Sequence, residues 1–275
     1  MEWDPTRFFR DDPDMQSPYA LLILNQPINE EAYLVLQKHA CFTICADGGA
    51  NRFYDMMQAR DRESLDLPNA IVGDLDSIRP AVRQHYEALD VPVIENPDQY
   101  STDFTKCLRY LEGEEHLTRT HREKGLDIVV LGGLGGRVDQ AFSQIHHLYA
   151  ATMEMECTRN HQSVARSLYL VSEESVTFIL KSGRNMIYTG SHNDTTDQAG
   201  GRYFEENIGI IPLAGPTRIT THGLEWDVTD WPTQIGGQLS TSNHIRASVV
   251  EIETAAPVLF TAELAARFKF GGRAR

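Results

Sequence analysis

Ala70-Ile-Val-Gly-Asp-Leu-Asp-Ser77 reads as the end of a buried strand running into an acidic turn. Ile71 and Val72 are the apolar end of the strand, and Gly73 lets the backbone turn close to a ligand. Asp74 and Asp76 follow at spacing two, so an extended segment would point both carboxylates the same way. Like charges that close raise each other's pKa unless a cation lies between them. An all-oxygen ligand set suits a hard ion, which for phosphate chemistry means Mg²⁺. A lone D-x-D is also an ordinary solvated turn. Two further acids, Asp103 and Asp139, decide between these readings, since each falls where a loop becomes a helix.

Outward from that strand, apolar strands alternate with amphipathic helices. Tyr19–Leu24 and Cys41–Ala46 are short apolar runs, and Asn29 caps a helix that has Glu30 and Glu31 in its first turn. Ala50, Phe53, Tyr54 and Met57 follow helical spacing, and Pro80 suits the first turn of another helix. A strand is expected at Val91–Ile94. Thr102 can cap a helix with the stripe Phe104, Cys107, Leu108 and Leu111. Asp127–Leu131, the glycine turn Gly132–Gly136 and a stripe of Val138, Phe142, Ile145 and Tyr149 complete the series. This alternation predicts a mainly parallel sheet in a three-layer α/β/α domain, with ligands outside the carboxyl ends of the strands.

The rhythm changes near residue 160. Short runs separated by turn signals (Leu168–Val171, Val176–Ile179, Ile208–Ile211, Arg218–Thr221, Val249–Glu253, Val258–Thr261) predict an antiparallel β-sandwich or jelly-roll-like domain. The expected division is an irregular lead-in over 1–18, an α/β domain over 19–160 and a β domain over 161–275. Residues 60–68 and 113–125 read as polar loops, 183–207 as a segment that includes a mobile loop, and the basic tail as frayed.

The formal net charge of −14 argues against a nucleic-acid or anionic-membrane surface and is compatible with a cationic small ligand. The four cysteines form no CxxC pair. Cys41, Cys45 and Cys107 read as buried thiols, and neither a disulfide framework nor structural zinc is expected. No run is long and apolar enough for a membrane span and the start is not a signal peptide, so the expectation is a cytoplasmic protein. The ten histidines, among them His146, His147 and His161, show no metal spacing.

There is no GxxxxGK[ST], and Gly133-Leu-Gly-Gly-Arg-Val138 fails GxGxxG because Val138 holds the third glycine position. The turn still offers backbone N–H groups to a phosphate, with Arg137 as a clamp and Asp139 as a metal ligand. Asp47-Gly-Gly-Ala-Asn51, Gly73-Asp-Leu-Asp-Ser77, Asp98-Gln99 leading to Thr102-Asp-Phe-Thr-Lys106, and Gly132-Gly-Leu-Gly-Gly-Arg-Val-Asp139 come in the order and spacing of the thiamine pyrophosphokinase family. Gly223-Leu-Glu-Trp226 and Ser240-Thr-Ser-Asn243 resemble that family's thiamine-binding β domain. The resemblance spans roughly residues 20–262 and is closest to the eukaryotic type.

The resemblance implies Mg²⁺-dependent transfer of the pyrophosphoryl group of ATP to thiamine, giving thiamine diphosphate and AMP. It also implies a homodimer with sites shared between chains. Asp74, Asp76 and Asp103 would then hold Mg²⁺, with Asp139 a further ligand or supporting acid. Arg137 and Lys106 would offset phosphate charge, although Lys106, one helical turn in, has the alternative of simply supporting the helix. Asp47 and Asn51 resemble residues near the nucleotide and metal, and Gln99 and Thr102 would bond thiamine or phosphate. Trp226 offers a flat face for an aromatic cation, where a cation–π contact contributes roughly 0.5–2 kcal/mol; the bland alternative is a core tryptophan. Ser242 and Asn243 would bond the aminopyrimidine, or else are turn formers. The general base stays open among Asp47, Asp74 and Asp103. Two rivals stand beside this reading: a phosphohydrolase with an aspartate nucleophile, which D-L-D-S-I superficially resembles, and a non-catalytic thiamine-binding protein.

Overall fold

The computed structural model describes residues 1–10, 18–115, 117, 119, 125–158, 165–190 and 202–269. Two compact units result, one of Asp14–Glu173 and the other of Met1–Pro13 with Glu174–Arg275. The chain opens with a strand, β1 (Glu2–Trp3), and a 3₁₀ turn over Pro5–Phe9. The first-named unit then runs β2 (Tyr19–Ile23), α1 (Glu30–Leu36), β3 (Phe42–Ala46), α2 (Gly49–Gln58), β4 (Ala70–Gly73), α3 (Pro80–Ala88), β5 (Val93–Glu95), α4 (Asp103–Gly113), β6 (Leu126–Leu131), α5 (Val138–Thr158) and β7 (Ala165–Val171).

Its strands lie side by side in the order β7-β6-β2-β3-β4-β5, and every adjacent pair is parallel. All five residues of β2 and all six of β6 are buried, which fits central strands covered on both faces. The caps follow local chemistry: Asn29 Oδ1 accepts from Ala32 N at 3.1 Å, and Pro80 opens α3. The chain steps outward from β2 to β5 and then returns to the other side of β2 as β6. The carboxyl ends of β2 and β6 therefore flank a switch point, where loops diverge and leave a crevice.

The β unit comprises β8 (Ser175–Leu180), β9 (Gly183–Tyr188), β10 (Phe204–Pro212), β11 (Thr217–His222), β12 (Trp231–Thr233), β13 (Ser240–His244), β14 (Val249–Thr254) and β15 (Val258–Leu264). One layer is ordered β13-β10-β15-β8, the other β1-β9-β14-β11-β12. Trp3 of the second layer packs on Phe178 of the first at 5.1 Å between centroids, and its indole N–H donates to Asn185 Oδ1 at 2.9 Å.

Several expectations need correction. The lead-in is not irregular throughout: β1 pairs parallel with β9, and Phe8 and Phe9 are buried. The boundary at 160 is too early, because β7 pairs in parallel with β6; a short alternating run fits either sheet, and its partner is not written in its period. The 183–207 segment contains β9 and the start of β10, while 191–201 lies outside the described residues. So do the side chains of His161 and Cys157, most of the loop expected at 113–125, and the tail beyond Lys269. Cys41 is exposed, while Cys45 and Cys107 are buried. On α5 the first half of the stripe faces outward: Val138 is 72% and Phe142 64% exposed, Ile145 and Tyr149 are half-buried, and among the described side chains of the helix the buried ones are Leu148, Thr152 and Met155. Among the described residues no helix is long and apolar enough to cross a membrane.

Candidate functional site

A cleft of about 300 Å³ lies at the switch point of the parallel sheet. Its walls come from Asn25 and Gln26 beyond β2, Gly48 beyond β3, Asp74 beyond β4 and Gly132 beyond β6, with Thr102 and Asp103 from the head of α4. Three carboxylates meet at its wall, Asp74 and Asp103 lining the cleft and Asp47 buried beside them. One oxygen each of Asp47, Asp74 and Asp103 lies within 4.8 Å of the others. This all-oxygen set, gathered in so small a space, matches what a hard divalent cation takes as ligands.

Each acid reaches the group by a different route. Asp47 leaves β3 with a φ of 39°, and its buried carboxylate accepts from Ser77 N at 3.0 Å and Ile78 N at 2.9 Å. Burial pushes its pKa up to about 6; the two backbone donors oppose that, and the neighbouring charges of Asp103 and Asp76 add to it. Asp103 sits in the first turn of α4, which Thr102 caps by accepting from Thr105 N at 3.4 Å. Asp74 follows Gly73, at which a β-carbon would lie 2.6 Å from Asp47 Cβ and 3.2 Å from Asp103 Oδ1. Gly73 is therefore what allows the acids to approach. Gly73→Ala should force Asp47 aside, destabilising the chain by about 1–3 kcal/mol, and a urea midpoint equal to wild type would refute the close contact.

Lys106 is 2% exposed, and its ammonium donates to Asp74 Oδ2 and Asp103 Oδ1, both at 3.1 Å. Burial is the largest influence on Asp74 and raises its pKa, but the Lys106 hydrogen bond, the Asp76 N–H and the ammonium charge together outweigh it and hold that carboxyl below its usual range. Lys106 shows the mirror image: burial lowers it, and the two carboxylates more than compensate. Three carboxylates against one ammonium leave two negative charges, the complement of one divalent ion.

Asp76 and Asp139 do not join this group. Leu75 has a φ of 62°, so the D-x-D segment bends instead of running extended, and Asp76 N faces Asp74 Oδ1 at 3.4 Å. Asp76 Oδ1 accepts from Ser77 Oγ at 2.7 Å. Asp139 and Arg137, 62% and 76% exposed, pair with each other at 2.6 Å. Asn51 is also engaged: its amide donates to Ser77 O at 2.9 Å and accepts from Arg79 N at 2.9 Å, bracing the turn that follows Asp74. Gln99 Nε2 reaches Asp74 Oδ2 at 3.4 Å.

Sequence reasoning missed Asn25, Gln26, Gln140, Ser143 and Gln144, all of which line the cleft. Asn25-Gln26 stands directly beyond an apolar strand, and Gln140, Ser143 and Gln144 share one helix face. Those were the available signals. In the β unit, Trp226 is 55% exposed and not a core tryptophan, with His244 against its ring at 4.9 Å between centroids. Ser242 lies within β13, where the pairing with β10 is irregular, and has a φ of 54°.

Two family models match the chain. Residues 33–158 match "Thiamin pyrophosphokinase, catalytic domain", and residues 194–259 match "Thiamin pyrophosphokinase, vitamin B1 binding domain". The chain belongs to the thiamin pyrophosphokinase family. Thiamine pyrophosphokinase 1 of Arabidopsis thaliana is 32% identical over 261 residues, covering 91% of this chain and 88% of that one. Thiamine pyrophosphokinase of Saccharomyces cerevisiae is 30% identical, covering 84% and 80%. Among solved structures, thiamin pyrophosphokinase from Candida albicans has a TM-score of 0.77 at 26% identity, covering 96% of this chain and 93% of that one. The yeast thiamin pyrophosphokinase crystal structure has a TM-score of 0.79 at 26% identity, covering 96% and 91%. The thiamin pyrophosphokinase models fall on the two architectures seen here, the first within the parallel α/β unit and the second within the β unit.

Proposed function

We propose that this chain is a thiamine pyrophosphokinase that transfers the pyrophosphoryl group of ATP to the hydroxyethyl oxygen of thiamine, releasing AMP. The observation that carries the reading is the Asp47–Asp74–Asp103 group, two of whose acids, Asp74 and Asp103, line the switch-point cleft, within a chain of this family. Mg²⁺ held by these three acids would neutralise charge on the transferring phosphates. Asp76 and Asp139 would act as supporting acids. Lys106 orients Asp74 and Asp103, and Thr102 fixes the helix end that carries Asp103. The glycine turn before Arg137 offers backbone N–H groups to a phosphate, and Arg137 adds its guanidinium. Trp226 stacks on thiamine. Positioning and charge neutralisation supply most of the catalysis. Incubation with thiamine, ATP and Mg²⁺ should give equal amounts of AMP and thiamine diphosphate. Phosphate release that ignores thiamine would instead identify a hydrolase, and thiamine binding without turnover a binding protein.

The same reading makes the protein a cytoplasmic homodimer that engages neither nucleic acid nor membrane, its sites shared between subunits. The outward face of α5 supports the dimer: Val138 and Phe142, one helical turn apart, are large apolar side chains left in solvent. Phe142→Asp should convert a dimer into monomers in light scattering while leaving the thermal melt of the monomer cooperative. A wild-type monomer, or a variant that stays dimeric, removes this interface.

A further inference from the structure

The exposed indole of Trp226 stands on a backbone that is not free to move. Its peptide is gripped by one side chain, Asn243, which is 5% exposed in β13. Asn243 Oδ1 accepts from Trp226 N at 3.1 Å and from His244 N at 2.8 Å, and its Nδ2 donates to Trp226 O at 2.9 Å. Both lone-pair directions of the amide oxygen and one of its two N–H groups are therefore engaged with backbone. Around the same turn, Asp227 accepts from Gly223 N at 2.9 Å, Leu224 N at 3.1 Å and Thr221 Oγ1 at 3.0 Å. Glu225 N donates to His244 O at 2.8 Å. The turn is tied down on both sides, and the imidazole of His244 braces the ring. A large aromatic held rigid yet open to solvent is a preorganised platform, which lowers the ordering cost of binding.

We propose that Asn243 is a positioning residue for the Trp226 platform, acting through the peptide of Trp226 and not by bonding the aminopyrimidine. This rests on the reading of Trp226 as the surface on which thiamine stacks. Losing the amide frees the Trp226 peptide from its two bonds, so the indole samples orientations that do not stack, and thiamine binding weakens whatever groups its pyrimidine carries.

The test uses the full chain with Asn243→Ala, Asn243→Asp, Trp226→Ala and the double variant Asn243→Ala/Trp226→Ala. Asn243→Ala should raise the KM for thiamine about tenfold, the scale of a buried hydrogen bond left unmade, with kcat at saturating thiamine and the KM for ATP within about twofold. The double variant should be no weaker than Trp226→Ala alone, and a thiamine analogue lacking the pyrimidine amino group should lose the same factor as thiamine. Asn243→Asp keeps the size and the acceptors but sets a carboxylate against Trp226 O. It should follow the alanine variant, and it carries the test if the alanine variant does not fold. Additive losses, or a loss that vanishes with the analogue, would mean a direct contact and overturn the proposal while the kinase reading stands. A wild-type chain that forms no thiamine diphosphate overturns both.

Discussion

Asp74→Ala should lower AMP and thiamine diphosphate formation about 100- to 1,000-fold, the scale of losing one preorganised electrostatic element in a closed site. It should also abolish the rise in melting temperature that Mg²⁺ produces in wild type, because the remaining acids, Asp47 and Asp103, no longer complete a three-oxygen group. The two readouts separate metal loss from misfolding: a variant that melts like wild type without Mg²⁺ but no longer responds to it has lost the ion site alone. Retention of more than about a third of wild-type turnover, far above that range, would show that the three acids are not the metal cage.

Lys106→Met should act in two opposite directions, and the opposition is diagnostic. Without Mg²⁺ the variant should be less stable by about 1–3 kcal/mol, since Asp74 and Asp103 lose the buried ammonium that both bond. With Mg²⁺ the gain in melting temperature should exceed that of wild type, because the ion no longer competes with a fixed positive charge. Turnover should still fall roughly 10- to 100-fold, as the two acids lose the group that aims them. A smaller Mg²⁺ response than wild type would mean that Lys106 helps build the ion site and does not merely balance it.

Much of the fold was legible because its signals are local. The strand ending at Gly73, the cap at Asn29, the proline opening α3 and the stripe Phe104–Leu111 each depend on residues a few positions apart, and each stands where its pattern placed it. The outward stripe of α5 shows the limit: a periodic apolar face says that something covers it, not what. β7 shows the same limit for strands, since its alternation suited the sandwich while its partner is β6.

The candidate site divides along the same line. Residue types and motif order put acids at the end of a strand and at the head of a helix and a glycine turn after β6, suggested phosphate chemistry through hard oxygen ligands, and left Trp226 open between a ligand face and a core residue. Which acids meet was not readable. Asp47, Asp74 and Asp103 converge because β3 and β4 are neighbours and α4 packs against both, and Asp76 stays outside that group, the segment bending at Leu75 with its left-handed backbone. Asn243 likewise became a clamp on Trp226 only once β13 was set beside its turn. Periodicity and capping are set by neighbours along the chain, so the sequence alone determined the elements and their chemistry. Strand order, a sign of φ and a hydrogen bond across 17 residues depend on which surfaces pack together, and that only the tertiary structure decided.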